Sequence, residues 1–117
     1  MPLSDEASID AFVGWQMESE WTLRDYANDE VANLKHKQGV KQVRVLSSKY
    51  IRLGNVTATR SILQFNENNK TVVIERIIAL HKGVEYQLIL RTAPQRYRKD
   101  RREFDKVVAS WKLTRRL

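Results

Sequence analysis

The stretch from Thr71 to Leu113 constrains the fold most, because it contains a strand, a link, a second strand and a helix in immediate succession. In 72–80 both alternating sets of positions are largely apolar, which is typical of a central strand covered on one side and partly on the other. The link His81-Lys82-Gly83 interrupts this pattern, and alternation resumes in 85–91. A short link that contains glycine predicts that the two strands pair antiparallel.

A proline followed by an amphipathic pattern predicts the closing helix. Pro94 cannot donate a hydrogen bond to a strand ladder, but it suits the first turn of a helix. The apolar residues that follow recur at helical spacing, which predicts one buried face opposite a charged face. These residues are Tyr97, Phe104, Val107, Val108 and Trp111. We therefore expect this face to cover a sheet.

A first helix is predicted over about 22–37. The hydroxyl of Thr22 can accept a hydrogen bond from a first-turn amide, and Asp25 places a negative charge where the helix dipole favours it. Gly39 follows the basic end of this segment, as expected just beyond a helix C-terminus.

Two further strands are predicted between this helix and the central strand. The segment 40–53 is rich in β-branched residues, and Ser47-Ser48 within it predicts a bulge or bend in one long strand. Gly54-Asn55 is typical of a hairpin turn, after which alternation resumes in 56–65. The polar segment 66–70 predicts the next turn.

The predicted fold is therefore α+β, with an antiparallel four-stranded meander sheet flanked by an N-terminal and a C-terminal helix in an α-β-α sandwich. We expect a single domain over 22–117, preceded by an N-terminal extension over 1–21. Within the extension, Ile9, Phe12 and Val13 have the spacing of a short helix, and Trp15 and Met17 are expected to pack on the domain edge.

The charge is unevenly distributed along the 117 residues. Residues 1–30 hold eight acidic side chains and one basic one, whereas 31–90 and 91–117 each hold ten basic and three acidic ones. This charge distribution has two interpretations. In the first, the acidic front of the chain partly neutralises the basic rear, and the charged face of the closing helix is simply solvated. In the second, the basic residues form a docking surface for an anionic partner. The absence of cysteine excludes disulfides, thiolate metal sites and cysteine nucleophiles.

The candidate partner-binding residues form a basic cluster around the start of the closing helix. Arginine pairs bidentately with carboxylates or phosphates, so this cluster could bind an acidic protein segment, a lipid headgroup or a nucleic acid backbone. Binding of single strands would also need exposed aromatic rings, and those of this helix are expected to be buried. The cluster comprises Arg91, Arg96, Arg98, Lys99, Arg101 and Arg102.

No catalytic or cofactor signature accompanies this cluster. His36 and His81 lie at a helix end and in a link, where surface or capping roles are expected. The four glycines are scattered, so no phosphate-cradling loop is predicted, and the acidic positions near Glu18 and Asp29 lack the calcium-loop pattern. We therefore expect no enzyme activity, no cofactor and no metal.

The chain resembles the PsbP-like superfamily, which includes PsbP and DcrB-type proteins, over about 22–113. The resemblance lies in packing and turn residues, and it implies an antiparallel sheet sandwiched by helices that acts by binding another protein. Members usually begin with a β-hairpin that carries a Gly-Trp pair, whereas here Gly14-Trp15 is followed almost at once by the predicted helix. The matching segments are Tyr26 to Leu34, Val45 to Ser48, Leu53-Gly54, Tyr86 to Leu88, Thr92 to Pro94, Tyr97, Phe104, Val107-Val108 and Ser110 to Leu113.

The leading hypothesis is a non-catalytic protein-interaction module whose partner is another protein: an adaptor, a chaperone-like protein or a complex-associated subunit. The alternatives are electrostatic binding of nucleic acid or anionic membrane by the basic helix, and a small-ligand carrier or enzyme with a site assembled from distant residues. We expect neither a signal peptide nor a membrane span, because Met1 to Asp10 is acidic and lacks an apolar run. The expected oligomeric state is a monomer.

Overall fold

A single five-stranded antiparallel sheet with one helix on each face forms the body of the protein. The computed structural model describes residues 7–16 and 20–111. The predicted α+β sandwich is confirmed, but the prediction of four strands is wrong, because a fifth strand lies near the N-terminus. The elements are β1 Ser8–Trp15, α1 Leu23–His36, β2 Val40–Leu53, β3 Val56–Glu67, β4 Lys70–His81, β5 Val84–Thr92, a 3₁₀ turn Pro94–Arg96 and α2 Tyr97–Ser110.

The strand order is β1-β5-β4-β3-β2, and every neighbouring pair is antiparallel. Strands β2 to β5 form the predicted meander, in which each strand pairs with the next in sequence. β4 lies at the centre and is buried on both faces, as the apolar pattern of 72–80 predicted. Strands β1 and β2 are the two edges of the sheet.

Strand β1 replaces the short helix that the spacing of Ile9, Phe12 and Val13 predicted. Ile9 pairs with Leu90, and Val13 pairs with Tyr86, so β1 extends the sheet beyond β5. Ile9 and Val13 also have the spacing of one strand face, and pairing with a strand distant in sequence decides between the two conformations. The predicted boundary between 21 and 22 therefore does not separate β1 from the rest of the sheet.

Two hairpin turns contain consecutive residues with positive φ. Asn68 and Asn69 have φ of 51° and 68° between β3 and β4, and Lys82 and Gly83 have φ of 51° and 77° between β4 and β5. Two positive φ values in a two-residue loop match the twist of the flanking strands, which is why asparagine and glycine are favoured there. The link after β4 is thus two residues long, since His81 still belongs to the strand.

Helix α2 packs on one face of the sheet, here called the α2 face. Phe104 is fully buried there against a cluster that includes Ile77, Leu88 and Leu90. The other apolar residues of the predicted stripe, Tyr97, Val107, Val108 and Trp111, are partly buried against the same cluster. The prediction that this stripe covers a sheet is confirmed.

Helix α1 packs on the opposite face, here called the α1 face. Thr22 caps it as predicted, since its hydroxyl accepts a hydrogen bond from the Asp25 amide and the Asp25 carboxylate accepts one from the Thr22 amide. The apolar cluster on this face is smaller and centres on Phe65 and Ile74. The only fully buried residue of α1 is Glu30.

Glu30 lies against Arg76 of the central strand. Arg76 Nε is 2.7 Å from Glu30 Oε2, although the two groups are not aligned as a hydrogen bond. Burial raises the pKa of Glu30, and the positive charge of Arg76 opposes that effect. Glu30 therefore places a desolvated carboxylate, paired with Arg76, between α1 and the sheet.

Candidate partner-binding surfaces

The exposed side of α2 and the 3₁₀ turn before it carry four of the six predicted residues. The apolar stripe of α2 is turned to the sheet, so the charged positions between its members are turned to solvent. Arg96, Arg98, Lys99 and Arg102 are all exposed, and we refer to them as the α2 basic surface. With the described residues, none of these four forms an ion pair, in contrast to Arg60, Arg76, Arg91 and Arg101.

Arg101 is the fifth predicted residue, and its side chain is turned towards the sheet. Its Nε lies 3.2 Å from Oε1 of the buried Glu75, and its guanidinium lies 5.8 Å from the centre of the Tyr97 ring. A guanidinium engaged with both a carboxylate and an aromatic face stabilises its own helix. Arg101 therefore holds α2 in place and is only partly accessible to a partner.

Arg91 is the sixth predicted residue, and it lies on the α1 face, away from α2. It is in β5, where Leu90 and Thr92 point to the α2 face, so strand alternation turns Arg91 to the other side. There it pairs with Glu67, and its guanidinium lies 5.9 Å from the centre of the Phe65 ring. The structure thus separates Arg91 from the other five residues.

A buried carboxylate fixes α2 to the sheet, which the sequence pattern did not indicate. Glu75 is fully buried in β4 and accepts a hydrogen bond of 2.6 Å from the Tyr97 hydroxyl. Arg60 donates to Glu75 from β3, and its second nitrogen lies 2.6 Å from Asp105 of α2. We call these residues, together with Arg101, the Glu75 cluster.

The Glu75 cluster changes the proton affinity of its members. Burial raises the pKa of the Tyr97 hydroxyl, and its hydrogen bond to Glu75 raises it further. Burial alone would lower the pKa of Arg60, but its hydrogen bonds to Asp105 and Glu75 outweigh that effect and raise it. Tyr97 therefore stays a neutral donor and Arg60 stays a cation, as the cluster requires.

A second buried contact fixes the start of α2. Asp100 is fully buried, and its Oδ2 accepts a hydrogen bond of 2.5 Å from the hydroxyl of Thr92, the last residue of β5. In the structure Asp100 and Asp105 both contact the strands, so they do not neutralise the α2 basic surface from outside.

The pairing of Glu67 predicts a specific dependence of stability on pH. Hydrogen bonds from Lys37 and Arg91 lower the pKa of Glu67 below its ordinary value of 4.5. A carboxylate whose folded-state pKa is lowered contributes stability above its unfolded-state pKa, and that contribution disappears as the pH falls through the folded value. We expect Glu67→Gln to lower the free energy of unfolding by up to about 1 kcal/mol at neutral pH. The two proteins should be equally stable near pH 2.

Urea unfolding of both proteins at pH 7 and at low pH measures this effect. Asn66→Ala, at the neighbouring residue of β3, serves as a control without a titrating group, and its effect should not change with pH in the same way. A stability difference between the wild type and Glu67→Gln that is equal at both pH values would contradict the prediction.

Exposed apolar side chains lie on both edge strands. Trp15 is 76% exposed at the end of β1, and Phe12 and Val13 are exposed beside it. The prediction that Trp15 packs on the domain edge is therefore wrong. Met17, for which the same packing was expected, lies outside the described residues. The Phe12 ring lies over Gly14, where an added Cβ would come within 2.8 Å of Phe12 Cζ.

Strand β2 differs from β1 in its charge and its regularity. The register of its pairing with β3 shifts between Val45 and Ser47, which confirms the bulge expected next to the serine pair. A second shift follows Lys41, where Gln42 has a φ of 56°. Bulges and basic residues protect an edge strand from unwanted pairing. The exposed basic residues of β2 are Lys41, Arg44, Lys49 and Arg52.

The concave features of the described residues are open clefts. One has a volume of about 530 Å³ and lies at the ends of β4 and β5 between Lys70, Arg91 and Gln95. Another of about 420 Å³ lies between α1 and the β2 edge. Across residues 7–16 and 20–111, no three histidine, aspartate or glutamate side chains converge to hold a metal ion. No helix of those residues is long and apolar enough to cross a bilayer.

The order of strands and the helix on each face define a PsbP-like fold, as the resemblance in the sequence predicted. Cyanobacterial PsbP from Synechocystis superposes with a TM-score of 0.70 at 12% identity, over 92% of this chain and 67% of that one. The protein PA94 from Pseudomonas aeruginosa, a candidate regulator of unknown function, superposes with a TM-score of 0.72 at 10% identity, over 92% and 84% of the two chains. At these identities the likeness concerns the fold alone.

Neither a protein-family profile nor a curated protein sequence matches the chain. The comparisons therefore transfer no functional residue to this chain, and a functional hypothesis depends on its own surface chemistry.

Proposed function

We propose that the chain is a non-catalytic protein-interaction module whose α2 basic surface binds an acidic segment of a partner protein. The observation that carries the proposal is that four cations, three on the outer side of α2 and one in the 3₁₀ turn before it, are exposed and unpaired with the described residues, while the neighbouring arginines are engaged. Arginine forks pair bidentately with carboxylates, so a segment rich in aspartate or glutamate is the matching ligand.

Rigidity of α2 supports the proposal. Phe104 and the Glu75 cluster hold the helix against the sheet from the side opposite to the cations. A surface whose backbone is already ordered loses less conformational entropy when it binds, so more of the pairing energy is available for affinity. The PsbP-like neighbours are consistent with a role in binding and leave the partner open.

The position of the aromatic rings favours a protein partner over single-stranded nucleic acid at this surface. Tyr97, Phe104 and Trp111 all pack against the sheet, so α2 offers no ring on which a base could stack. Electrostatic binding to duplex nucleic acid or to an anionic membrane can be tested through its dependence on salt concentration. Each contact with a phosphate releases a counterion, so a variant that loses such contacts shows a shallower decrease of affinity with rising salt.

A charge-matched capture experiment tests the proposal. The surface variant carries Arg96→Gln, Arg98→Gln, Lys99→Gln and Arg102→Gln. The control variant removes the same number of exposed positive charges elsewhere, through Lys35→Gln, Lys41→Gln, Arg44→Gln and Lys70→Gln. Each protein is immobilised and incubated with nuclease-treated native cell extract at moderate salt, and retained proteins are quantified by mass spectrometry.

We expect a protein with an acidic segment to be retained by the wild type and the control, and to be reduced about tenfold or more by the surface variant. Equal loss with both variants would show that net charge alone decides retention, which would contradict the proposal. A parallel capture omits the nuclease, and a protein retained only in that untreated extract would assign the surface to nucleic acid instead.

A further inference from the structure

The outer edge of strand β1 is open to solvent in the part of the chain that the structure describes. β1 is the last strand of the sheet, and it pairs with β5 without a register shift over its whole length. Helices α1 and α2 pack mainly on the other strands, and they leave Phe12, Val13 and Trp15 exposed. A regular edge strand with exposed apolar side chains is a template for pairing with another strand.

The free backbone groups of this edge belong to alternate residues of β1. The Gln16 amide donates a hydrogen bond of 2.8 Å to the Gly83 carbonyl, in the same register as the pairing of β1 with β5. Hydrogen-bonded and non-bonded pairs alternate along an antiparallel ladder, so the even-numbered residues of β1 are the ones bonded to β5. The N–H and C=O groups of the odd-numbered residues therefore point away from β5, towards solvent. These outward residues are Ile9, Ala11, Val13 and Trp15.

The side chains of β1 offer apolar surface on both faces of the sheet. Val13 lies opposite Tyr86, which belongs to the apolar cluster of the α2 face, so strand alternation places Val13 and Trp15 on that face. Phe12 is on the α1 face by the same alternation. Asp10 is the only charged residue of β1. Little charge therefore opposes the approach of a second strand to this edge.

The other edge of the sheet is protected, which limits how many copies of the chain can join. Two register shifts interrupt the pairing of β2, and the exposed basic residues of β2 would repel a like strand. If two copies pair through β1, both outer edges of the joined sheet are β2 strands. Such pairing closes at two copies and does not continue into a fibre.

We propose that two copies of this chain pair antiparallel through their β1 strands, in a two-fold dimer with one continuous sheet of five strands from each copy. This proposal replaces the monomer expected from the sequence. The two-fold axis of such a pair is perpendicular to the sheet, so the dimer presents both α2 basic surfaces on the same side. A partner with two acidic segments would then engage both copies at once, with a gain in avidity.

Symmetry and the outward backbone groups determine the register of this pair. An outward residue of one copy must oppose an outward residue of the other, and the register that uses all four has its two-fold axis at Phe12. Phe12 then lies beside Phe12 of the second copy on the α1 face. On the α2 face, Trp15 opposes Ile9, and Val13 opposes Ala11. The cross-strand contacts are thus apolar on both faces.

The same register keeps the charges apart. Asp10 opposes Gly14 of the second copy, so the two Asp10 carboxylates are separated by about 13 Å along the strands. A shift of the axis to Ala11 would place Asp10 against Phe12 of the second copy and would desolvate the carboxylate. Charge therefore favours the axis at Phe12.

The small size of the interface predicts a weak dimer. The exposed parts of Phe12, Val13 and Trp15 amount to at most roughly 400 Å² in each copy. With the backbone, the buried area totals about 1,000 Å², at the low end of specific interfaces. We expect a dissociation constant of about 1–100 µM.

Sedimentation velocity of the full chain over a range of concentrations, from about 1 µM to 1 mM, measures the association. We expect a monomer at the low end, a dimer at the high end and no larger species. Ala11→Pro removes an outward N–H from the middle of the edge but no hydrogen bond to β5, so a fold checked by circular dichroism should be kept. The dissociation constant of this variant should rise at least about tenfold.

Side-chain variants test the apolar contacts. Phe12→Ala combined with Trp15→Ala should raise the dissociation constant at least about tenfold, because the aromatic rings of the interface are lost. The control, Tyr50→Ala, removes an exposed ring from the other edge strand and should change it less than about twofold.

Single cysteine substitutions test the register, because the chain has no cysteine of its own. Two Phe12 residues at the axis form a non-hydrogen-bonded pair, in which the Cα atoms are about 4.5 Å apart and a disulfide can form. At concentrations that favour the dimer, Phe12→Cys should therefore oxidise to a covalent dimer at least about fivefold faster than Asp10→Cys.

Three outcomes overturn the proposal. The first is a wild type that stays monomeric up to about 1 mM, which would leave β1 to an extended segment of another protein. The second is a dissociation constant that Ala11→Pro leaves unchanged. The third is equal oxidation of the two cysteine variants, which would show contact without the register of the two-fold pair.

Discussion

Replacing Glu75 with alanine is expected to lower the free energy of unfolding by about 3–5 kcal/mol. Glu75 is fully buried and is bonded to Arg60 and Tyr97. Without it, Arg60 is left as a positive charge at the buried interface between sheet and helix, with only Asp105 beside it. Removing one partner of a buried ion pair costs much more than the pair itself contributes, because the remaining charge stays desolvated.

Urea-induced unfolding followed by circular dichroism measures this loss. Since the total stability of a domain is about 5–15 kcal/mol, Glu75→Ala can fail to fold, so Glu75→Gln is measured beside it as a milder variant. Arg60→Met combined with Glu75→Leu provides the control, because replacing both charges with apolar groups should recover a large part of the loss. If Glu75→Ala and Glu75→Gln both cost under about 1 kcal/mol, the cluster does not hold α2 in place.

Replacing Phe104 with alanine is expected to lower the free energy of unfolding by a similar amount, about 3–5 kcal/mol. Its ring is fully buried between α2 and the strands, in contact with the largest apolar cluster of the molecule. The loss combines the transfer free energy of the ring with the cavity that remains. Because Phe104 anchors α2, the α2 basic surface should also lose its fixed position without the removal of any cation.

Val108→Ala is the matched control for this prediction. Val108 lies on the same stripe of α2 but is only partly buried, and it loses fewer atoms, so its effect should be under about 1.5 kcal/mol. Amide hydrogen exchange measures the consequence for the helix, and the α2 amides should exchange faster in Phe104→Ala than in Val108→Ala. Equal exchange in the two variants would show that α2 is held mainly by its polar contacts.

Local sequence patterns predicted the elements that local interactions determine. The Thr22 cap, the Gly54-Asn55 turn and the proline before α2 each depend on groups a few residues apart. The meander follows from the same patterns, since short links force consecutive strands to pair. Strand β1 could not be predicted in this way, because Ile9 reaches Leu90 only across the folded sheet.

In the candidate site, too, local sequence patterns predicted some residue positions, whereas others depend on contacts between residues distant in sequence. The exposure of Arg98 and Arg102 followed from the helical periodicity of α2. The position of Arg91 could have been predicted from strand alternation, since it lies between Leu90 and Thr92, two residues of the opposite face. The pairing of Arg101 with Glu75 could not, because it depends on how α2 crosses β4. In the sequence, the position of Glu75 among the apolar residues of β4 was the one signal of the buried Glu75 cluster.

The two helices differ in the residues that they bury against the sheet: α1 buries Glu30 and no apolar residue, whereas α2 buries Phe104 together with Asp100. Apolar residues of α1 such as Leu23 and Val31 are only partly buried, so a change of their size leaves little empty volume. Sequence drift should therefore be accepted more readily along α1 than along the inner side of α2. Homologues of this chain would then keep the ring at position 104 long after the first helix has diverged.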